Sequence, residues 1–304
     1  MKRIAIAIHG GASQDSDFIR QNKTGYEDGL KAAVQAGYAV LQKGGSAIDA
    51  VERAVNCLED NPLFNAGRGS ALNNQGKVEM DAAIMDGKTL KAGAVAMVKS
   101  VKNPISLARK VLEKTSHVLL CGYGALKLAK ETGATVEDDD YFITNHQLDE
   151  FKQANLEETG DILLKKQVHG TVGAVALDEY GDVAAATSTG GTPNSLSGRV
   201  GDSCMIGAGC YANNQTCAIS ATGDGEYIIT GVIANTISLY IELIGKNLQE
   251  ACDYVINDRN KDTPGDMGVI SINKNGEIGI AFNCERMHRA WIDTDGNMEA
   301  RIYK

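Results

Sequence analysis

Apolar and polar positions alternate over residues 3–9, "RIAIAIH", and this period of two predicts a buried first strand. The period then changes. Over 24–43, Ala32, Ala33, Ala36, Val40 and Leu41 form one helical face, which Gly44 and Gly45 stop. Ser46 caps a second helix in which Ile48, Val51, Val55 and Leu58 recur at helical spacing. Asp49 and Glu52 sit early in it, where the helix dipole favours them, and Pro62 marks its end. Residues 78–85 and 91–99 read as paired strands joined at Asp86-Gly87. Helices are expected from Asn103-Pro104 to about 114 and over 122–131.

From 133 to 170 the pattern weakens. An acidic run, scattered aromatics and few apolar anchors predict a solvated, partly helical connector. Strands resume at 171–178 and 182–188, around Tyr180-Gly181-Asp182, and again near 205–210 and 215–221. One long helix is expected over 225–244 and a shorter one over 247–257. Closing strands at 267–273 and 277–282 meet at an Asn-Gly turn. Strands come as hairpins and helices in pairs. This predicts an α+β fold, a four-layer sandwich of antiparallel sheets flanked by helices, in a single domain over 1–304. A doubly wound fold would alternate strand and helix more strictly, and no dinucleotide or nucleoside-triphosphate motif is present.

Charge narrows the partner. The net charge is -9, with 30 Lys+Arg against 39 Asp+Glu, and one Trp and five Phe provide few stacking platforms. Nucleic acid is therefore not expected, and a small molecule or a peptide is. No apolar run reaches the length expected of a membrane span. The N-terminal "IAIAI" is too short for a secretory leader, so a cytoplasmic protein is expected. Seven cysteines without a C-x-x-C suggest small buried thiols in a reducing compartment. His9, His117, His146, His169 and His288 lack metal-ligand spacing, so no catalytic metal is expected. No G-x-S-x-G announces a serine triad.

The 34 glycines cluster in short words beside hydroxyl and charged residues. Thr171 follows Gly170 and leads a strand. Threonine there is ordinary β propensity, or it is a nucleophile in waiting. A threonine hydroxyl needs a nearby base, and the α-amine of an N-terminal threonine supplies one. That reading requires the Gly170–Thr171 bond to break. Thr187, Ser188 and Thr189 end the next strand before two glycines, and Thr222, Gly223 and Gly225 form a strand–turn–helix corner. Such a corner offers free N–H groups, while Thr222 or Asp224 could equally be the N-cap of the helix. Arg199 and Asp202 flank Val200 and Gly201. They suit the two charged ends of an amino acid, or form a loop ion pair. Asn65 is a short amide in a glycine-bounded loop, and a turn residue is the plainer reading.

Read in order, "HGG" at 9–11, "PLFNAGRGS" at 62–70, "EMDAAIMDG" at 79–87, "LKAGAV" at 90–95, "HGTVGAVALD" at 169–178, "ATSTGG" at 186–191, "GRVGDS" at 198–203, "GAGCYA" at 207–212 and "TGDGE" at 222–226 form one set. They resemble the plant-type L-asparaginase and isoaspartyl aminopeptidase family of N-terminal nucleophile hydrolases, over nearly the whole chain. The resemblance implies a precursor that cuts itself between Gly170 and Thr171 into 1–170 and 171–304. It implies Thr171 as nucleophile and Thr189 as its hydrogen-bonding partner. Arg199 and Asp202 would clamp the substrate's α-carboxylate and α-amine, with Val200, Gly201, Asp224 and Gly225 lining the pocket. Thr222 and Gly223 would form the oxyanion hole, and Asn65 would support the site from the first subunit. The implied activity is release of L-aspartate from β-aspartyl dipeptides and L-asparagine, without a cofactor. A structural sodium in the 58–68 loop and a dimer of αβ heterodimers are also implied. Two alternatives accompany it: a β-aspartyl peptidase with negligible asparaginase activity, and an uncleaved, inactive homologue that binds rather than catalyses. The lysosomal-type glycosylasparaginases are a related alternative, against which the full "GTVGAVALD" word and the leaderless N-terminus argue. Pro193, Asp224, Asp266, Met267, Cys284 and Glu285 depart from the family's usual words and bear on substrate ranking.

Overall fold

The alternating N-terminal run becomes a fully buried strand because helices cover one of its faces and a second sheet the other. The computed structural model describes residues 3–156 and 170–304, so His169 and most of the late connector lie outside the described residues. The first half runs β1 (Ala5–Ser13), α1 (Asp17–Gln21), α2 (Lys23–Gln42), α3 (Ala47–Glu59), β2 (Met80–Asp86), β3 (Ala92–Val98), α4 (Pro104–Lys114), β4 (Leu119–Cys121), α5 (Gly122–Glu131), α6 (Asp139–Phe142) and α7 (Asn145–Leu156). The second half runs β5 (Val172–Leu177), β6 (Val183–Thr189), β7 (Cys210–Ala212), β8 (Cys217–Gly223), α8 (Gly225–Gly231), α9 (Ile233–Ile244), α10 (Leu248–Asp253), β9 (Met267–Asn273), β10 (Ile278–Phe282), β11 (Arg286–Ile292) and β12 (Met298–Tyr303).

Among the described residues two sheets form, in the orders β12-β11-β1-β5-β6-β2-β3-β4 and β10-β9-β8-β7. Side chains alternate across each strand. In β1, Ile6 and Ile8 face α2 and α3, while Ala5 and Ala7 face the second sheet. β2 and β6 repeat the pattern, with Ala82, Ile84, Ala184 and Ala186 outward and Ala83, Met85, Val183 and Ala185 between the sheets. The inter-sheet layer is rich in alanine and so brings the two backbones close. Ile219, Val269 and Met267 of the smaller sheet pack against Ile233 and Ile237 of α9 and Ala251 of α10. The four-layer α+β sandwich is thus present. Full burial of an Ile or Leu side chain is worth about 1.5–3 kcal/mol, and all three layers of core contain them.

The structure departs from the sequence pattern in several places. β4, β11 and β12 are additional strands, and β4 pairs parallel with β3. The expected helix over 225–244 breaks at Val232, which is left-handed (φ 47°). The N–H groups of Ala234 and Asn235 donate to Ala208 and Gly207 carbonyls instead of continuing the helix. By length and composition Gly225–Ile244 is apolar enough to cross a membrane, contrary to the expectation that no run is. Its buried face, including Ile228, Ile233 and Ile237, packs on the smaller sheet. The expected helix over 247–257 is α10 followed by a π-helical turn over Tyr254–Arg259. The connector is less solvated than expected. Phe142 is fully buried, and its carbonyl accepts the Gly69 N–H. All seven cysteines are free thiols, five of them buried.

Candidate active site

Thr171 immediately precedes β5, which lies between β1 and β6 in the middle of the large sheet. It is 5% exposed. His9 of β1 donates from Nδ1 to the Thr171 carbonyl at 2.9 Å. The His9 Nε2 then accepts from Ser220 Oγ at 2.8 Å, and Thr187 Oγ1 lies 2.7 Å beyond. Burial pushes the His9 imidazole down to about 3, so the neutral ring with a protonated Nδ1 is the stable form. The carbonyl of Thr171 is thereby tied to β8 across the sandwich.

The hydroxyl of Thr171 donates to Thr189 Oγ1 at 3.3 Å, and Thr189 Oγ1 lies the same distance from the Gly170 carbonyl. β6 brings Thr189 there because Val172 pairs with Ser188 across β5 and β6. Asn65 reaches in from the loop after α3. Its Nδ2 donates to the Gly170 carbonyl at 2.8 Å and to the Gly191 carbonyl at 2.7 Å. Its Oδ1 accepts Ala71 N–H at 2.8 Å. Each polar atom of the amide is therefore used, and the side chain is fixed. Asn65 is more than a turn residue.

The second group lies at the end of β8. Thr222 Oγ1 accepts from Ala12 N–H at 3.2 Å. The next residue back in β1, Gly11, lies against Gly170, which joins this group to Thr171. Asp224 is the N-cap of α8, but its carboxylate accepts from Asp266 N–H at 2.7 Å rather than from the helix. Thr222 is not the cap. Asp266 in turn takes both carboxylate bonds from Gln14 Nε2, and Glu285 accepts the Asp15 N–H.

Arg199 pairs with Glu226 through Nε and Nη2, both at 2.9 Å. The ion pair is therefore not the Arg199–Asp202 bridge that spacing allowed. Asp202 is 3% exposed, and among the described residues its Oδ2 has no hydrogen-bond partner. Burial lifts its carboxyl to about 7, against the pull of Arg199. The two side chains converge beside Gly225. A Cβ there would stand 2.8 Å from Arg199 Nη2 and 2.8 Å from Asp202 Oδ1, so glycine keeps that space open. Val200 packs between the sheets, and Gly201 N–H donates to Asp81 Oδ2 at 2.9 Å.

Sequence patterns missed the residues that hold this loop. Asp81 of β2 also accepts Met97 N–H, and burial lifts its carboxyl to about 6. Glu79 takes Gly198 N–H at 2.9 Å and Lys99 Nζ at 3.0 Å. Glu59, at the end of α3, accepts Ser188 Oγ at 2.7 Å and Ile105 N–H at 2.9 Å. Burial pushes its carboxyl to about 8. Glu79 and Asp81 stand inside "EMDAAIMDG" and Glu59 three residues before "PLFNAGRGS", yet Gly198, Gly201 and Ser188 lie more than 100 residues away, and no spacing rule reaches that distance.

The order of layers, helix–sheet–sheet–helix, is that of the N-terminal nucleophile hydrolases, with Thr171 leading a central strand. The chain belongs to the asparaginase family, whose sequence model matches residues 2–302. It is 43% identical over 299 residues to an isoaspartyl peptidase of Escherichia coli, covering 96% of this chain and 93% of that one. It is 43% identical over 290 residues to an isoaspartyl peptidase/L-asparaginase of Xenopus laevis, covering 95% and 92%. It is 40% identical over 326 residues to a probable isoaspartyl peptidase/L-asparaginase of Arabidopsis thaliana, covering 99% of each.

Proposed function

We propose that this chain is a self-processing threonine amidohydrolase that releases L-aspartate from β-aspartyl dipeptides and L-asparagine. The observation that carries the substrate class is the buried Asp202 carboxylate: its Oδ1 and the Arg199 Nη2 border the same space at Gly225, and its Oδ2 has no hydrogen-bond partner among the described residues. A buried carboxylate left without a donor is costly unless a cation arrives. An α-ammonium supplies that cation, and the α-carboxylate meets Arg199 in place of, or beside, Glu226. The Escherichia coli and Xenopus laevis relatives, an isoaspartyl peptidase and an isoaspartyl peptidase/L-asparaginase, agree with this class.

Processing comes first. Thr171 Oγ1 attacks the Gly170 carbonyl carbon, and Asn65 Nδ2 and Thr189 Oγ1 donate to the oxygen as it gains charge. The C–N bond breaks, an ester forms, and water hydrolyses it. The freed α-amine of Thr171 is then the base for its own hydroxyl, with an ordinary pKa of about 7.7–8.0 suited to neutral pH. In turnover, Oγ1 attacks the substrate's side-chain carbonyl. Thr222 Oγ1 accepts from Ala12 N–H, which fixes the hydroxyl and leaves its O–H to donate to the oxyanion with the Gly223 N–H. Ammonia or an amino acid leaves with the proton, and water releases aspartate. Val200, Gly201, Asp224 and Gly225 frame the pocket.

We also propose a structural sodium in the 58–68 loop, where the Pro62 and Phe64 carbonyls both turn toward Gly69. These carbonyls would hold the ion, whose charge would stiffen the loop that carries Asn65. No catalytic step needs it, and no other cofactor is proposed. We also propose a dimer of αβ units, which would cover apolar residues exposed on α9 such as Leu243 and Ile244. A cytoplasmic setting accords with seven free thiols.

Denaturing electrophoresis and an ammonia assay test the reading together. The wild-type chain should resolve into two fragments and hydrolyse asparagine, and Thr171→Ala should stay whole and inactive. Cleavage of Thr171→Ala at the same bond would sink it.

A further inference from the structure

Beside Gly170 lies a cleft that the steps above do not use. Gly170 and Asn65 line it together with Gln147 and Glu150 of α7 and Arg286 and His288 of β11. Arg286 is buried, and among the described residues it has no carboxylate at ion-pair distance. Its Nε donates to the Gln14 carbonyl and its Nη2 to Ser13 Oγ. Its Nη1 lies 3.2 Å from His288 Nδ1. Nδ1 also lies 3.4 Å from the Gly10 carbonyl, which can only accept; the shorter contact is the one to Arg286, and because a guanidinium only donates, we take Nδ1 as its acceptor and place the proton of the neutral ring on Nε2. Among the described residues that Nε2–H is buried without a partner, and so is Gln147 Oε1. His288 is 2% exposed and Gln147 8%. One orphan is a donor and the other an acceptor, and water is the small ligand that satisfies both. The cleft has about 50 Å³ of room for it, space for roughly three or four molecules.

We propose that this cleft holds the water that hydrolyses the Gly170–Thr171 ester during self-cleavage, and that Glu150 is the base that takes its proton. This rests on the self-processing reading above. The water oxygen bonds to the Gly170 carbonyl carbon. The bond from that carbon to Thr171 Oγ1 breaks, and its electron pair leaves on Oγ1. One water proton passes to Glu150 and the other ends on Oγ1, so Gly170 departs as a carboxylate and Thr171 regains its hydroxyl. Glu150 then returns its proton to solvent.

The electrostatics suit the role. Burial lifts the Glu150 carboxyl to about 7, where a base for neutral conditions is best placed. The groups that face it stay in one form near that pH. His146, 3.3 Å away on α7, is pushed down by burial. Tyr26 of α2 is pushed up to about 12, His288 is pushed down to about 3, and Arg286 remains a cation.

The test uses full-length precursor made by cell-free translation, followed on denaturing gels with and without hydroxylamine at neutral pH. Hydroxylamine cleaves esters without needing a base to activate water. Glu150→Gln should slow self-cleavage about 100-fold, and hydroxylamine should restore it to the rate of treated wild type. Gln147→Met should move the same way by a smaller factor. Wild-type cleavage should accelerate as pH rises through about 7, and Glu150→Gln should lose that limb. Cleavage of Glu150→Gln within twofold of wild type, or slowing that hydroxylamine does not relieve, overturns the role of the cleft alone. Failure of the wild type to cleave at all overturns the self-processing reading and this inference with it.

Discussion

Asn65 and Gly170 are 105 residues apart and share a 2.8 Å hydrogen bond from the Asn65 amide to the Gly170 carbonyl. The same amide nitrogen also holds the Gly191 carbonyl, so the loop after α3 and the end of β6 are tied together at one atom. Because the oxygen of Asn65 is itself held by Ala71 N–H, the donor cannot rotate away as charge develops on Gly170. A preorganised donor of this kind acts on a barrier more than on stability.

Asn65→Ala should therefore slow self-cleavage by about 10²–10³-fold. The half-life of the precursor on denaturing gels measures it. Asn65→Asp should be at least as slow, since a carboxylate keeps the shape but offers no N–H. Wild-type kinetics in either variant would remove Asn65 from the processing step.

Asp202 supplies a second test. Its carboxyl is lifted from 3.8 to about 7, so the native state keeps a proton that the unfolded chain has already lost. Stability is then greatest below the lower value and falls as pH rises through the upper one. Asp202→Asn cannot ionise. The difference in melting temperature between wild type and Asp202→Asn should move in favour of the variant from pH 4 to pH 7, in the uncleaved Thr171→Ala background. Binding should go the other way. The processed variant should lose about 2–5 kcal/mol of substrate binding, because the α-ammonium loses its buried partner. A KM for asparagine within threefold of wild type would count against the clamp.

The hairpins and the α2–α3 pair were legible because their signals are local. Asp86-Gly87 sits at a turn between two alternating runs, and Ser46 accepts the Asp49 N–H as its cap position suggests. β11 was not legible. Its run holds Arg286, His288 and Arg289, which look like surface residues. In the fold they are buried, with Arg289 donating to Met287 and Tyr303 carbonyls and stacking on Phe282. The Thr171, Thr189 and Asp202 words were visible, but the roles of His9, Asp81 and Glu59 were not. Each acts on a strand or loop more than 100 residues away, and nothing near them in sequence marks the partner.

Glu59 offers a stability measurement of its own. Burial moves its carboxyl from 4.5 to about 8, so near neutrality it is held mostly as the neutral acid. Stability should fall as pH rises from about 4.5 through about 8. Glu59→Gln keeps an acceptor for Ser188 and Ile105 but has no such dependence. Its deficit against wild type in thermal melts should shrink steadily across that window. Glu59→Ala should lose about 2–5 kcal/mol at the acid end of the window, through a cavity and two unpaired donors, and its deficit should shrink in parallel with that of Glu59→Gln as pH rises. A pH-independent gap between wild type and Glu59→Gln would show that this carboxyl does not titrate with folding.

Val232 tests how the apolar stretch 225–244 packs. A β-branched residue in the left-handed region costs about 1–2 kcal/mol, and Val232 is there with φ 47° and half its surface exposed. The strain persists because the amides of Ala234 and Asn235 bond to the 207–208 carbonyls, which a straight helix could not reach. Asparagine tolerates this conformation and brings none of glycine's extra chain entropy. Val232→Asn should raise stability by about 0.5–1 kcal/mol, visible as a higher midpoint in urea with an unchanged slope. If the segment were one continuous helix, the same change would replace valine by a residue of no better helix propensity and gain nothing. A lower midpoint would therefore mean that the bend at Val232, and the packing of α9 on the smaller sheet that depends on it, is absent in solution.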